Sequence, residues 1–180
     1  MTIIGKEDDM ASHGKRVAIL VEDTYEDPEL WYPYYRLQEA GVIVTLVGPQ
    51  RATYVSKHGY PATADAAADE VSADEFDGIV IPGGYAPDRL RRNPAVLALV
   101  RGINAKGGVV ATICHAAWVA ISAQVVAGKR ATCVSAIQDD LRNAGAIYVD
   151  EAVVVDGNLV TSRTPADLPA FMPAILKQLG

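Results

Sequence analysis

The amino-acid sequence predicts an α/β fold, a three-layer α/β/α sandwich built on a mostly parallel central sheet. Short, uninterrupted apolar runs recur along the chain, at 17–21 (VAILV), 42–47 (VIVTLV), 78–84 (GIVIPGG) and 109–113 (VVATI). Amphipathic stretches lie between them, and several stop at glycine. A strand that is apolar at every position has to be covered on both faces, which a parallel sheet flanked by helices provides. With 180 residues, half of them apolar, the chain suffices for one domain that buries roughly 70% of its unfolded surface.

Each element follows from local chemistry. Residues 1–14 are polar, mixed in charge and aperiodic, and read as a loose arm with room for vector-derived residues, with one domain over 15–180. After the first strand comes polar EDTYED, then a helix over about 28–40, with Pro28 near its start, Leu30, Tyr34 and Leu37 at helical spacing, and Gly41 at its end. The strand 42–47 completes a β-α-β crossover, which is right-handed in a parallel sheet. Residues 51–75 are alanine-rich and take no clear assignment. Pro82, Gly83 and Gly84 break the third strand, Asn93-Pro94 opens a helix to about residue 105, and 109–113 forms the fourth strand. Beyond Cys114 the pattern predicts a helix to Gly128, a helical turn over 139–144, a hairpin around Asp156-Gly157-Asn158 and a closing helix over 165–179. This alternation is that of a flavodoxin-like sandwich.

Charge and motif content exclude several functions. There are 22 acidic against 16 basic residues, a formal net charge of −6. The densest basic cluster, Arg89, Arg91 and Arg92, forms no stripe, so no nucleic-acid partner is expected. No apolar run approaches the roughly 18 residues of a membrane span, and the opening segment lacks a signal-peptide core, which predicts a cytoplasmic protein without a membrane partner. Two cysteines make no disulfide framework, and His13, His58 and His115 are scattered, so no metal site is expected. No phosphate-binding glycine motif occurs, and no cofactor is expected.

The stretch ATICHAAW places Cys114 where a buried strand must turn into a helix. Ligands gather at the carboxyl ends of strands in such sheets, and the amides of a starting helix favour thiolate over thiol. The residues alone leave Cys114 either a nucleophile or a core cysteine, and His115 either a catalytic group or a satisfied helix-start histidine. Glu22, Asp23, Glu26, Asp27 and Glu29 follow the first strand on the same sheet edge. Most of them read as solvated or helix-capping, but Glu26 and Glu29 share a helix face, and one can accept a hydrogen bond from the cysteine. Gly83 and Gly84 read either as oxyanion donors or as an ordinary tight turn. Cys133, within ATCV, reads as a core residue in a strand. Trp31, Tyr32, Tyr34 and Tyr35 crowd one helix, as either a contact with another subunit or a wide core stripe with rim tyrosines.

Taken together, VEDTYEDPELWYPYYRL, KHGY, FDGIVIPGGYAPDRLR, ICHAAW, IQDDLRNAG and VVVDGNLVTSRTPADLPAF resemble, in register from about residue 15 onward, the PfpI (ThiJ/PfpI) family of the class I glutamine amidotransferase-like superfamily. The resemblance implies a nucleophile at Cys114 with His115 beside it. It places the carboxylate that hydrogen-bonds the cysteine at Glu29, and a companion acid at Glu26. The oxyanion pocket falls on Gly84 and the His115 amide. In archaeal members a triad acid comes from the adjacent subunit, and the matching position is Asp88, one methylene shorter than the family's glutamate. A pocket tyrosine of those members corresponds to Val134. Dimers or larger homo-oligomers are implied.

Family members are described as cysteine peptidases, as deglycases of methylglyoxal and glyoxal adducts, as glyoxalases and as stress-response chaperones or redox sensors. The resemblance therefore implies a stress-related cysteine hydrolase acting on small carbonyl adducts or peptides. A non-enzymatic redox sensor or chaperone with an oxidisable Cys114 is the competing reading, and an inactive scaffold the third.

Overall fold

The computed structural model describes residues 12–180, in which the apolar runs become strands and the amphipathic stretches helices. In chain order the strands are β1 (Arg16–Leu20), β2 (Ile43–Gly48), β3 (Thr53–Val55), β4 (Pro61–Thr63), β5 (Ala66–Ala67), β6 (Gly78–Ile81), β7 (Val109–Ile113), β8 (Arg130–Ala131), β9 (Ile147–Tyr148), β10 (Val153–Asp156) and β11 (Leu159–Ser162). The helices are α1 (Asp27–Glu39), α2 (Ala86–Leu90), α3 (Pro94–Ala105), α4 (Ala117–Ser122), α5 (Gln138–Asn143) and α6 (Leu168–Leu179).

The main sheet has the order β10-β11-β7-β6-β1-β2-β5, parallel except for β10, which pairs with β11 in an antiparallel hairpin turning at Gly157 (φ 61°). Ile19 lies between Leu46 of β2 and Val80 of β6, and Val110 between Ile79 and Leu159. All six side chains are buried, as a sheet covered on both faces requires. From β1 the chain crosses to β2 on one side, whereas from β6 it crosses to β7 on the other. Right-handed crossovers in opposite directions place α1 and α3 on opposite faces. Helix α6 joins the α1 layer, and α2 and α4 join α3. Strands β1 and β6 are neighbours at the point where the order reverses, the crevice in which doubly wound sheets bind ligands.

The predicted boundaries hold to within a residue or two for β1, β2, α1 and α3. Helix α1 stops before Gly41, which has the left-handed φ of 76°, and Asn93 Oδ1 caps α3 by accepting from the N–H groups of Ala95 and Val96.

Two expectations, for the helix after Cys114 and for Cys133, need correction, and two stretches are to be added to them. The helix expected from His115 to Gly128 is a single 3-10 turn, Cys114–Ala116, followed by α4, and the chain leaves helical geometry at Gln124 (φ 61°). Unassigned residues 51–75 form the β3–β4 hairpin and the sheet-edge strand β5. Cys133 is fully buried but lies beyond the two-residue β8 rather than in a strand. Of the arm expected over 1–14, residues 1–11 lie outside the described residues. Residues 12–14 are turn, with Ser12 buried and the Gly14 N–H donating to Gly41 O at 2.9 Å.

The loops after β1 and β6 are clasped together. Gly84 bridges Tyr25, with φ 77°, and a Cβ at Gly84 would sit 2.5 Å from Thr24 O and 2.6 Å from Glu26 N. Both are backbone atoms, so no side-chain movement relieves the clash. Gly84→Ala is therefore expected to lower the urea-unfolding free energy by at least about 2 kcal/mol, from left-handed strain and backbone displacement together. A loss within about 0.5 kcal/mol of zero, the range of an ordinary surface change, would show that the clasp tolerates a side chain.

Candidate active site

Three strand ends converge on Cys114. It follows the last residue of β7 and has φ 61°, left-handed backbone that a non-glycine residue adopts at a cost of order 1–3 kcal/mol. The surroundings hold it there. Ile113 is extended on one side, the 3-10 turn begins on the other, and the Val134 N–H donates to Cys114 O at 3.4 Å. The result is a sharp strand-to-helix elbow that leaves the side chain half-buried at the carboxyl edge of the sheet.

Glu29 reaches this elbow from the first turn of α1. It is 0% exposed, and Gly83 N–H donates to its Oε2 at 2.7 Å. Oε1 is buried with no partner at hydrogen-bonding geometry. Gly83 is the point of closest approach, since a Cβ there would lie 2.6 Å from Glu29 Oε2 and 2.7 Å from Cys114 Cβ. Burial pushes the Glu29 carboxyl up to about 8, helped by the negative charge of Glu26 and opposed by the Gly83 N–H and the Cys114 thiol. Glu29 is thus largely protonated at neutral pH.

Burial also pushes the Cys114 thiol up, to about 12, and the charge of Glu29 adds to this. The backbone N–H groups of His115 and Gly84 act in the opposite direction. The two acids form one coupled unit, and the repulsion from Glu29 disappears whenever its carboxyl holds a proton. Of the two glycine amides expected at the pocket, Gly83's is committed to Glu29, and Gly84's faces the sulfur together with that of His115.

His115 Nδ1 lies 3.3 Å from Cys114 Sγ, close enough to exchange a proton with it. Burial lowers the imidazole's pKa and the charge of Lys57 lowers it further, so the ring is neutral at pH 7. Its ring lies tilted by 55° against Trp118 at 5.2 Å between ring centres, and Trp118 Nε1–H donates to Asp140 Oδ2 at 2.8 Å.

Glu26 stands at the N-cap of α1 but makes no side-chain cap, contrary to the expectation that these acids cap the helix. Its Oε2 instead lies 2.7 Å from Lys57 Nζ. Lys57, Tyr85 and Trp118 border the site without having been singled out for it. KHGY carries the lysine, but a pairing across 31 residues with Glu26 leaves no local pattern. Asp88 is not brought to the elbow within this chain. Its carboxylate pairs with Arg92 at 3.0 Å on the exposed surface. Val134 is partly buried against the core.

The described residues contain one group with metal-ligand geometry, Glu26, Asp27 and His58, although His58 read as isolated in the sequence. Its atoms already have partners. Asp27 accepts from Ser56 Oγ at 2.6 Å and meets His58 Nδ1 at 2.7 Å, and these hydrogen bonds hold its pKa below the ordinary value despite partial burial.

The aromatic residues of α1 divide. Trp31 is half-buried, with Nε1–H donating to Tyr25 Oη at 3.1 Å and its ring stacked on Tyr35, whereas Tyr32 and Tyr35 are 43% and 58% exposed. No helix among the described residues is long and apolar enough to cross a membrane.

Comparison with known proteins finds relatives over most of the chain. Deglycase PfpI of Pyrococcus furiosus is 43% identical over 164 residues, covering 91% of this chain and 99% of the relative. Protein/nucleic acid deglycase 2 of Escherichia coli is 40% identical over 169 residues, covering 92% and 98%. Among solved structures, Drosophila melanogaster DJ-1beta superposes with a TM-score of 0.87 at 30% identity, covering 92% of this chain and 90% of that one. A two-domain Anabaena variabilis protein with DJ-1/ThiJ/PfpI-like and ferritin-like domains gives 0.90 at 46% identity, covering 92% of this chain and 48% of the longer one. The DJ-1/PfpI family model matches residues 15–178, and the chain belongs to the DJ-1/PfpI family.

Proposed function

We propose that this protein is a cysteine-dependent deglycase in which Cys114 attacks the carbonyl or hemithioacetal carbon of glyoxal and methylglyoxal adducts. The observation that carries the reading is the convergence on one sulfur of a buried carboxyl, an imidazole nitrogen at 3.3 Å and two backbone N–H groups. The deglycase names of the P. furiosus and E. coli relatives support the substrate class.

The chemistry follows from the charges. Removal of one proton from the Cys114–Glu29 unit leaves a single negative charge. With the remaining proton on Glu29, its O–H faces the sulfur and the N–H groups of His115 and Gly84 stabilise the thiolate. Attack at the aldehyde-level carbon forms a C–S bond as its bond to the leaving thiol or amine breaks, and a proton shift from that carbon to the adjacent ketone carbon gives an S-lactoyl thioester on Cys114. Water adds to the thioester carbonyl, whose oxyanion the same amides are placed to receive, releasing lactate and the thiol of Cys114. Neutral His115 takes the thiol proton and returns it to the leaving amine or thiol. For a methylglyoxal hemithioacetal the sum is adduct plus water to lactate plus free thiol. The aldehyde-level carbon is oxidised to the acid as the adjacent ketone is reduced to the alcohol, through a proton moved between them, so no external oxidant is required. The reaction is assigned to the cytoplasm.

The competing reading is a redox sensor, in which peroxide converts Cys114 to a sulfinate that the Glu29 O–H then holds. The same placement of Glu29 beside Cys114 favours it. Asp88 completes a Cys114–His115–acid triad only if a neighbouring subunit supplies it, so the reading includes at least a homodimer. Light scattering is expected to give twice the monomer mass or more, and a monomer would remove Asp88 from the mechanism.

Cys114→Ser is expected to abolish methylglyoxal consumption. Undiminished turnover would exclude the nucleophile, and a wild-type protein that gains two oxygens on Cys114 under peroxide without any turnover beforehand would support the sensor.

Glu29 also couples stability to pH. Its folded-state value of about 8 lies above the unfolded 4.5, so the folded protein binds more protons between them. The stability it contributes is fully present below the lower value and is lost as pH rises through about 8. Glu29→Gln is expected to flatten this slope, so that urea midpoints from pH 5 to 9 converge or cross, at about 1.4 kcal/mol per pKa unit. Parallel curves for the two proteins would mean that Glu29 is ionised throughout.

A further inference from the structure

The mouth of the Cys114 site carries an ammonium whose position three separate loops determine. Lys57 sits in the turn of the β3–β4 hairpin, and its N–H donates to Tyr25 O at 3.0 Å, tying that turn to the loop after β1. Its Nζ lies 2.7 Å from Glu26 Oε2 and 5.6 Å from the centre of the Tyr85 ring. Glu26 N–H donates to Gly83 O at 3.3 Å, and Tyr85 follows Gly84 in the chain. The loops that hold Glu29 and the sulfur-facing amide therefore also bound Lys57. Its positive charge acts on Cys114, Glu29 and His115 alike.

Neighbouring cations on this edge turn elsewhere. Arg89 lies 3.7 Å from Asp23, Arg92 pairs with Asp88, and Arg91 donates to Ser122 Oγ at 3.0 Å while stacking over Trp118. An ammonium has three N–H donors, and Glu26 occupies one of those on Lys57. The side chain is 34% exposed, which leaves room for a ligand to meet the others. An anion entering here would be repelled by ionised Glu26 and Glu29. Lys57 offsets the first charge and the proton on Glu29 removes the second, so neither acid opposes an anion here although the chain is acidic overall.

We propose that Lys57 is a specificity-determining residue that binds the carboxylate of substrates bearing an anionic group beside the reacting carbonyl, such as adducts of free amino acids or carboxylate-bearing thiols. The proposal rests on the reading of Cys114 as the reacting atom and names the substrate class that this site prefers.

The test is alkylation of Cys114 by two reagents with the same leaving group, anionic iodoacetate and neutral iodoacetamide, followed by intact mass. Taking the ratio of the two rates on one protein cancels any difference in folding or thiol pKa between variants. Lys57→Met is expected to lower the iodoacetate-to-iodoacetamide ratio about tenfold, and Lys57→Arg to keep it near the wild-type value. Removal of the lysine also uncovers Glu26, so the double variant Glu26→Gln/Lys57→Met is included. If the cation binds the carboxylate, the ratio stays low in the double variant.

An unchanged ratio in Lys57→Met, or a return to the wild-type ratio in the double variant, would overturn the proposal. Because alkylation needs only an accessible thiol, its outcome is independent of whether Cys114→Ser abolishes turnover. In the active enzyme, Lys57→Met is expected to raise KM more for the methylglyoxal hemithioacetal of N-acetylcysteine than for that of N-acetylcysteinamide. Equal changes for both would count against a carboxylate contact.

Discussion

A carboxyl group completely removed from water, held by one backbone N–H and facing a thiol, is the constraint around which the rest of this site is arranged. Glu29 can be buried without a cationic partner because it keeps its proton at neutral pH. That condition requires Gly83, since any side chain there would collide with the carboxyl or with Cys114. It also requires the left-handed backbone at Cys114 and Gly84, which turns the sulfur and an amide toward each other. Strain at these positions is sustained by the buried strands on either side, whose hydrogen bonds and packing leave the loops no alternative path.

The electrostatics follow the same logic. Within a chain of net charge −6, the groups nearest the sulfur are close to neutral overall. Glu29 is protonated, His115 is uncharged, and Glu26 is matched by Lys57. A single negative charge on the thiol–carboxyl unit is therefore not opposed by a second one nearby. The same balance suits a sulfur nucleophile and, under peroxide, a sulfur acid held by Glu29. Both readings of the family thus call on one arrangement of atoms.

Much of the fold was legible because its strands are buried on both faces and appear as continuous apolar runs, while Gly41, Asn93-Pro94 and Gly157 mark the turns with conformations or caps that few residues supply. The place of Cys114 was legible for a related reason, as a thiol directly after such a run. The short hairpin β3–β4 was not, because its three-residue strands alternate too briefly to show a period and its partners belong to distant loops. Helix α4 was read too long because QVVAG continues the apolar pattern, whereas the backbone turns left-handed at Gln124.

What the sequence determined by itself, then, is the alternating α/β order, the strand-to-helix position of Cys114 and the presence of acids on the same sheet edge, all of which depend on neighbours a few residues apart. Tertiary structure decided which acid meets the sulfur, that the Gly83 N–H serves Glu29, and that Lys57 closes on Glu26. Those outcomes depend on distances and burial between segments separated by 31 residues for Glu26 and Lys57 and 54 for Glu29 and Gly83, which no local pattern of residue types encodes.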